Sequence, residues 1–162
     1  LADAKPMELG HAIEVGHRWT LFAFAPDADP GDTTSAMWSL LDRLQNDSAS
    51  PIKRCIDAGQ DPDSLLDLRA IYQQGFRDIE WGSLHPALRP AKGKYGLTDY
   101  EKVFCTDGTG NPDIYDLRGI DRTQGALILV RPDQYISQIL PLSQTDVLFS
   151  HINSVWSVKT GA

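Results

Sequence analysis

The strongest constraint on this chain lies in its last third. There two apolar runs, Gly125-Ala126-Leu127-Ile128-Leu129-Val130 and Ile136-Ser137-Gln138-Ile139-Leu140, flank Arg131-Pro132-Asp133-Gln134. Short apolar runs bounded by turn residues read as strands. Pro132 stands where the second position of a type I turn needs a fixed φ, so the two runs predict an antiparallel hairpin. Ser143 then predicts a helix cap, with Asp146 three residues on, and Leu148, Phe149, Ile152, Val155 and Trp156 predict one apolar helical face.

Upstream, Arg18-Trp19-Thr20-Leu21-Phe22-Ala23-Phe24-Ala25 is an apolar, aromatic-rich run closed by Pro26, which predicts a buried strand. Asp27 to Asp32 is turn chemistry, and Met37, Leu40, Leu41 and Leu44 recur at helical spacing. That spacing predicts a helix of about four turns, capped by Asp32 or Thr33. Leu65 to Tyr72 fits a strand or a helix start, and the strand is our reading. Residues 75 to 99 carry Gly75, Gly82, Pro86, Pro90, Gly93 and Gly96. So many breakers predict an irregular excursion, held against the core by Trp81, Leu84 and Leu88. Tyr100 to Thr106 predicts another strand and Asp107 to Pro112 a turn.

Residues 1–16, with Pro6, Gly10 and Gly16, show neither period and read as a leader or linker to one domain over 17–162. A chain of 162 residues with 41% apolar content is enough for a single core. The element order predicts an α/β, thioredoxin-like fold: a mixed central sheet flanked by helices, ending in a β-hairpin and a helix. The start at Leu1, without Met, permits a piece of something longer.

Charge and composition narrow the functions. A net charge of −7, from 15 basic and 22 acidic residues without basic clusters, argues against nucleic acid as a partner. No apolar run is long enough to predict a membrane span, and the first residues lack signal-peptide features. Cys55 and Cys105, far apart in sequence, fit a reducing compartment, which predicts a cytoplasmic protein; a bridge between them stays open.

Each chemistry has its own residue requirements. A thioredoxin-type redox site needs Cys-x-x-Cys after the first strand, where a helix N-terminus stabilises a thiolate. That stretch reads Ala25-Pro26-Asp27-Ala28-Asp29, and the positions for a peroxidatic Cys read Asp32-Thr33-Thr34-Ser35. Cys55 and Cys105 read as packing residues. His11, His17, His85 and His151 lack metal-ligand spacing. Asp27, Asp29 and Asp32 resemble a calcium loop, but Pro30 interrupts it and Trp38 stands where the terminal Glu belongs. Gly108-Thr109-Gly110 lacks the rest of a phosphate cradle, and Gly82-Ser83-Leu84-His85 is not a nucleophile elbow. The expectation is no catalytic, no cofactor-binding and no metal-ligating residue in this chain.

One resemblance adds to this reading. The stretch Gly125 to Ile136, with its Val130-Arg131-Pro132-Asp133-Gln134-Tyr135 turn, resembles the signature of the C-terminal domain of phenol hydroxylases and 3-hydroxybenzoate hydroxylases. Collinear matches support it: Pro6 and Leu9, Gly16-His17-Arg18-Trp19, Tyr100-Glu101-Lys102-Val103-Phe104, and Ile114 through Asp121. The resemblance implies the thioredoxin-like, dimer-contacting part of an FAD-dependent aromatic monooxygenase. FAD, NADPH and the phenol would be handled by upstream parts, and no catalytic residue is carried over here. Arg131 is expected to tie the hairpin to a neighbouring carboxylate or carbonyl. Two other classes stay open: a free-standing thiol oxidoreductase, and a ligand-binding regulatory domain built on residues 75–99.

Overall fold

Trp19–Phe24 forms β1 because its alternate residues feed two different cores: five of its six residues are buried, and a strand buried on both faces must lie inside a sheet. The computed structural model describes residues 5–13, 16–56, 60–61, 63–106 and 112–156. Following β1 come α1 (Ala36–Asn46), α2 (Pro51–Cys55), β2 (Leu66–Tyr72), β3 (Ala91–Lys92) and β4 (Leu97–Thr98). Then come β5 (Val103–Cys105), α3 (Ile114–Arg118), β6 (Ala126–Val130), β7 (Ile136–Pro141) and α4 (Thr145–Val155). The main sheet has the order β5-β2-β1-β6-β7. Pairing is parallel between β1 and β2 and between β2 and β5, and antiparallel from β1 through β6 to β7. A mixed five-stranded sheet flanked by helices, closed by a hairpin and a helix, is the thioredoxin-like α/β architecture expected.

The register sorts the side chains. On one face Leu21, Ala23, Leu68, Ala70, Tyr72, Val103, Leu127 and Leu129 pack with Met37, Leu40, Leu41 and Leu44 of α1 and Leu148, Phe149 and Ile152 of α4. On the other, Phe22, Phe24, Ile71 and Val130 pack with Tyr115 of α3, with Leu9, Ala12 and Ile13 alongside. Gly125 opens β6 with φ +63°, and a Cβ there would lie 2.3 Å from the Phe24 carbonyl oxygen. Only glycine fits that approach.

Several local expectations are corrected. The α1 cap is Ser35, whose Oγ accepts from the Trp38 amide at 3.1 Å. Asp32 is spent on Thr34, accepting from its amide at 2.8 Å and its hydroxyl at 2.7 Å. The helix therefore starts later and has 11 residues, about three turns. Ser143 does not cap α4; the cap position is Gln144, with no side-chain capping bond. Val155, the last helical residue, is exposed, because Trp156 instead turns in against Trp19, edge-on at 6.3 Å.

The 75–99 excursion is more regular than its breakers suggest. Two short 3-10 turns bury Leu84 and Leu88 as expected, and Trp81 is half-buried, stacked on Tyr100 at 5.0 Å. A small hairpin of β3 and β4 follows, joined through Gly93 and Gly96 at positive φ. The strand expected over 100–106 is only Val103–Cys105, because Asp99 Oδ1 accepts from the Glu101 amide and keeps the preceding residues in a turn. The turn expected at Asp107 to Pro112 falls almost wholly outside the described residues.

Candidate interaction surface

The corner after β1, where this fold can hold a redox thiol, is closed by polar side chains. The Asp27 amide donates to the Arg122 carbonyl at 2.7 Å. Gln73 Nε2 donates to the Ala25 and Arg122 carbonyls at 3.1 and 2.7 Å, and Gln74 Nε2 to the Ala28 carbonyl at 2.8 Å. Tyr115 Oη, fully buried, reaches the Ala25 and Ile71 carbonyls, both at 2.9 Å. Burial pushes that phenol well above its ordinary pKa, so it stays a neutral donor. Arg122 lies over the Tyr115 ring and pairs with Asp113 and Asp116. The carbonyls ending β1 and β2 are thus occupied, and the sequence Ala25 to Asp29 offers no nucleophile.

The thiols and histidines are elsewhere. Cys55 and Cys105 are free and half-buried, on α2 and β5. Burial pushes both thiols up in pKa, which lowers the thiolate fraction that nucleophilic chemistry needs. His85 is a core residue: its Nδ1 accepts from the Ala87 amide at 3.1 Å, Trp38 meets it edge-on at 4.7 Å, and burial pushes its pKa down. His151 of α4 sits between Ser137 Oγ, 2.9 Å from Nε2, and Gln138 Nε2, 3.2 Å from Nδ1. His11 and His17 are exposed. Among the described residues no three His, Cys, Asp or Glu side chains converge as a metal site would require, and no helix is long and apolar enough to cross a membrane.

An ionic cluster that sequence reading missed lies beside β2, at the start of β5. Lys102 Nζ, buried, contacts Asp63 at 2.7 Å, Asp67, and Asp99 at 3.5 Å. Lys92 bridges Asp63 and Asp99, the latter at 2.6 Å. Arg69 pairs with Asp67 at 2.7 Å, donates to the Glu101 carbonyl at 2.8 Å and covers the Phe104 ring. Burial alone would raise the Asp63 and Asp99 carboxyls; the neighbouring ammoniums outweigh it and hold both below the usual carboxylate range. One sequence signal was available: Asp67 and Arg69 alternate inside a strand whose seven residues are all buried, and charges so placed must pair.

At the opposite edge, β7 has β6 as its one strand partner among the described residues. The hairpin forms as expected: the Gln134 amide donates to the Arg131 carbonyl at 2.9 Å, and the Arg131 amide to the Tyr135 carbonyl at 2.9 Å. Gln134 takes φ +67°, the left-handed residue that follows a type I turn in such loops. Arg131 Nη2 pairs with Asp133 at 2.6 Å, the carboxylate tie expected of it. Beyond the turn Val130 faces Ile136 while Leu129 faces Gln138, so Ser137 is the extra residue of a β-bulge. Because of that bulge Ile136 and Ile139, opposite Val130 and Ile128, share one face. Both are exposed, Ile136 at 58% and Ile139 at 64%, beside Tyr135 at 72%.

Comparison with known proteins gives this geometry a context. Residues 1–160 match the family model described as phenol hydroxylase, C-terminal dimerisation domain. The chain is 45% identical over 155 residues to 3-hydroxybenzoate 4-monooxygenase of Comamonas testosteroni, covering 95% of this chain and 24% of that protein. It is 32% identical over 143 residues to the FAD-dependent monooxygenase terD of Aspergillus terreus, covering 86% and 23%. It is 29% identical over 160 residues to phenol 2-monooxygenase fsqG of Aspergillus fumigatus, covering 96% and 25%. The chain spans about a quarter of the length of these curated relatives. With a thioredoxin-like sheet whose redox corner is filled, and a match to one family model over residues 1–160, this chain belongs to the family of phenol hydroxylase C-terminal dimerisation domains.

Proposed function

We propose that this chain is the non-catalytic, dimer-forming part of an FAD- and NADPH-dependent aromatic monooxygenase of the phenol hydroxylase type, working in the cytoplasm. In this reading residues 17–162 are the main body of the domain, and residues 1–16 lead to it from upstream parts that hold flavin, nicotinamide and aromatic substrate, with Leu9, Ala12 and Ile13 of that leader packed onto the sheet. No residue here acts as catalyst, cofactor ligand or metal ligand. The observation that carries the reading is the filled corner after β1, where Gln73, Tyr115 and the Arg122 backbone take up the polar groups that a redox site would leave open. Family membership supplies the positive half, since a domain without chemistry can still serve by contact.

Titrating FAD, then NADPH, into the purified chain is expected to give neither stoichiometric flavin absorbance after gel filtration nor a thermal shift. A yellow protein at one flavin per chain would defeat the proposal. Insulin-reduction activity that disappears on replacing Cys55 and Cys105 by Ser would instead establish a thiol oxidoreductase.

A further inference from the structure

We propose that β7 is the edge on which a second copy of this chain docks, antiparallel across a two-fold axis, so that two five-stranded sheets continue as one. The inference rests on the dimer-forming reading above and says where that contact lies.

Four observations converge on β7. Its one strand partner among the described residues is β6, so its outer backbone groups can accept another strand. Its residues, Ile136, Ser137, Gln138, Ile139, Leu140 and Pro141, carry no charge. A chain of net charge −7 repels its copy most weakly where acids are absent or neutralised. The flanking Asp133 is paired with Arg131 at 2.6 Å, and Asp146 with Arg43 at 2.5 Å, an arginine that Asp47 shares at 3.1 Å. Finally, the bulge sets Ile136 and Ile139 on the face that already carries Phe22 and Ile128. That apolar row runs off the edge of the sheet, and a copy would extend it with its own Ile139.

Symmetry favours a copy over a different strand. Antiparallel pairing of one edge with itself is isologous and closes at two subunits, leaving β5 as the outer edge of each half. A second exposed apolar group, Tyr95 at 79% and Leu97 at 69%, is a weaker candidate. Tyr95 lies in the turn and Leu97 on one of two strands of two residues, too short for a ladder, among Lys92, Lys94 and Asp99, with Lys94 Nζ over the Tyr95 ring at 5.6 Å.

Sedimentation velocity over about 5 to 500 µM chain tests the placement. The wild-type chain is expected to move from monomer towards dimer. Ile139→Asp, which sets two carboxylates against each other at the axis, is expected to weaken the dimer at least about 100-fold, because like charges across an interface cost several kcal/mol. Leu97→Asp is expected to dimerise as wild type. Hydrogen exchange on the unaltered chain needs no variant: β7 amides should gain protection as concentration rises, and β4 amides should not. A wild-type dimer that survives Ile139→Asp, or shows no added protection in β7, overturns this placement and leaves the dimer-forming reading standing. A wild-type chain that stays monomeric throughout overturns that reading, and this placement with it.

Discussion

At one edge of the sheet β5 is three residues long and preceded by Lys102, which sits in a buried cluster with Asp63, Asp67 and Asp99; at the other, β7 is six residues long, uncharged and lined outward by Ile136 and Ile139. An open strand edge is a template for pairing with another chain, and brevity and charge are two ways of blunting it. One edge is therefore finished as a boundary, while the other keeps what a second strand needs. The same sheet face is buried in its middle under Tyr115 and Ala12 and bare at β7, so the contrast lies in what covers each end of one surface.

The largest effect is expected from breaking the buried cluster. Lys102→Met removes the buried cation facing Asp63 and Asp67 and leaves carboxylates without it. Losing one partner of a buried ion pair costs about 3–5 kcal/mol, and urea denaturation should show that drop as a lower midpoint. A near-neutral variant would mean that the cluster is not what anchors the start of β5.

The second prediction compares the edges directly. Val103 of β5 is fully buried, so Val103→Ala should cost about 1–3 kcal/mol. Ile139→Ala, at concentrations where the chain is monomeric, should stay within about 0.5 kcal/mol, as surface changes usually do. Equal losses would show that Ile139 is packed in the monomer and that β7 is not a free edge.

Acid should open the edges unequally. The Asp63 and Asp99 carboxyls, which burial would raise, are held lower still in pKa by Lys92 and Lys102. A carboxyl depressed in the folded state stabilises fully above its unfolded pKa, about 3.9 for Asp, and that contribution is lost as pH falls through the folded value. Below about pH 4, therefore, β5 amides should lose exchange protection ahead of those in β6 and β7. Simultaneous loss would mean that acid acts on the whole fold and not through this cluster.

The sequence made the sheet legible wherever one segment carries its own signal. β1, β2, β6 and β7 were visible as apolar runs, and the hairpin turn followed from Pro132 and Asp133. What it hid depended on choices between near-equal neighbours. Asp32, Thr33 and Ser35 can all cap a helix, and only the bond that Asp32 accepts from the Thr34 amide removes the first from contention. The five-residue helices Pro51–Cys55 and Ile114–Arg118 are too short to express a period. The ionic cluster joins residues from 63 to 102, so no local window contains it. The bulge at Ser137 was equally invisible: without it, residues three apart on a strand, such as Ile136 and Ile139, would point to opposite faces. The filled redox corner was half legible, because missing cysteines can be read from the sequence, whereas Gln73, Tyr115 and Arg122 meet only in the fold.

Salt gives the smallest expected effect and the sharpest distinction between β7 and the charged hairpin. A contact built from strand pairing and isoleucine surface has no ion pair to screen, whereas two chains of net charge −7 repel each other over distances that salt shortens. The Debye length falls from about 10 Å at 0.1 M to about 3 Å at 1 M. Dimerisation through β7 should therefore hold steady or tighten by no more than about threefold as sodium chloride rises from roughly 0.05 to 0.5 M, since only residual repulsion is being removed. A docking surface drawn from the charged hairpin around Lys92, Lys94 and Asp99 would weaken over the same range. Sedimentation at the two salt concentrations reads the sign directly, and weakening would move the contact away from β7 towards the charged hairpin of β3 and β4.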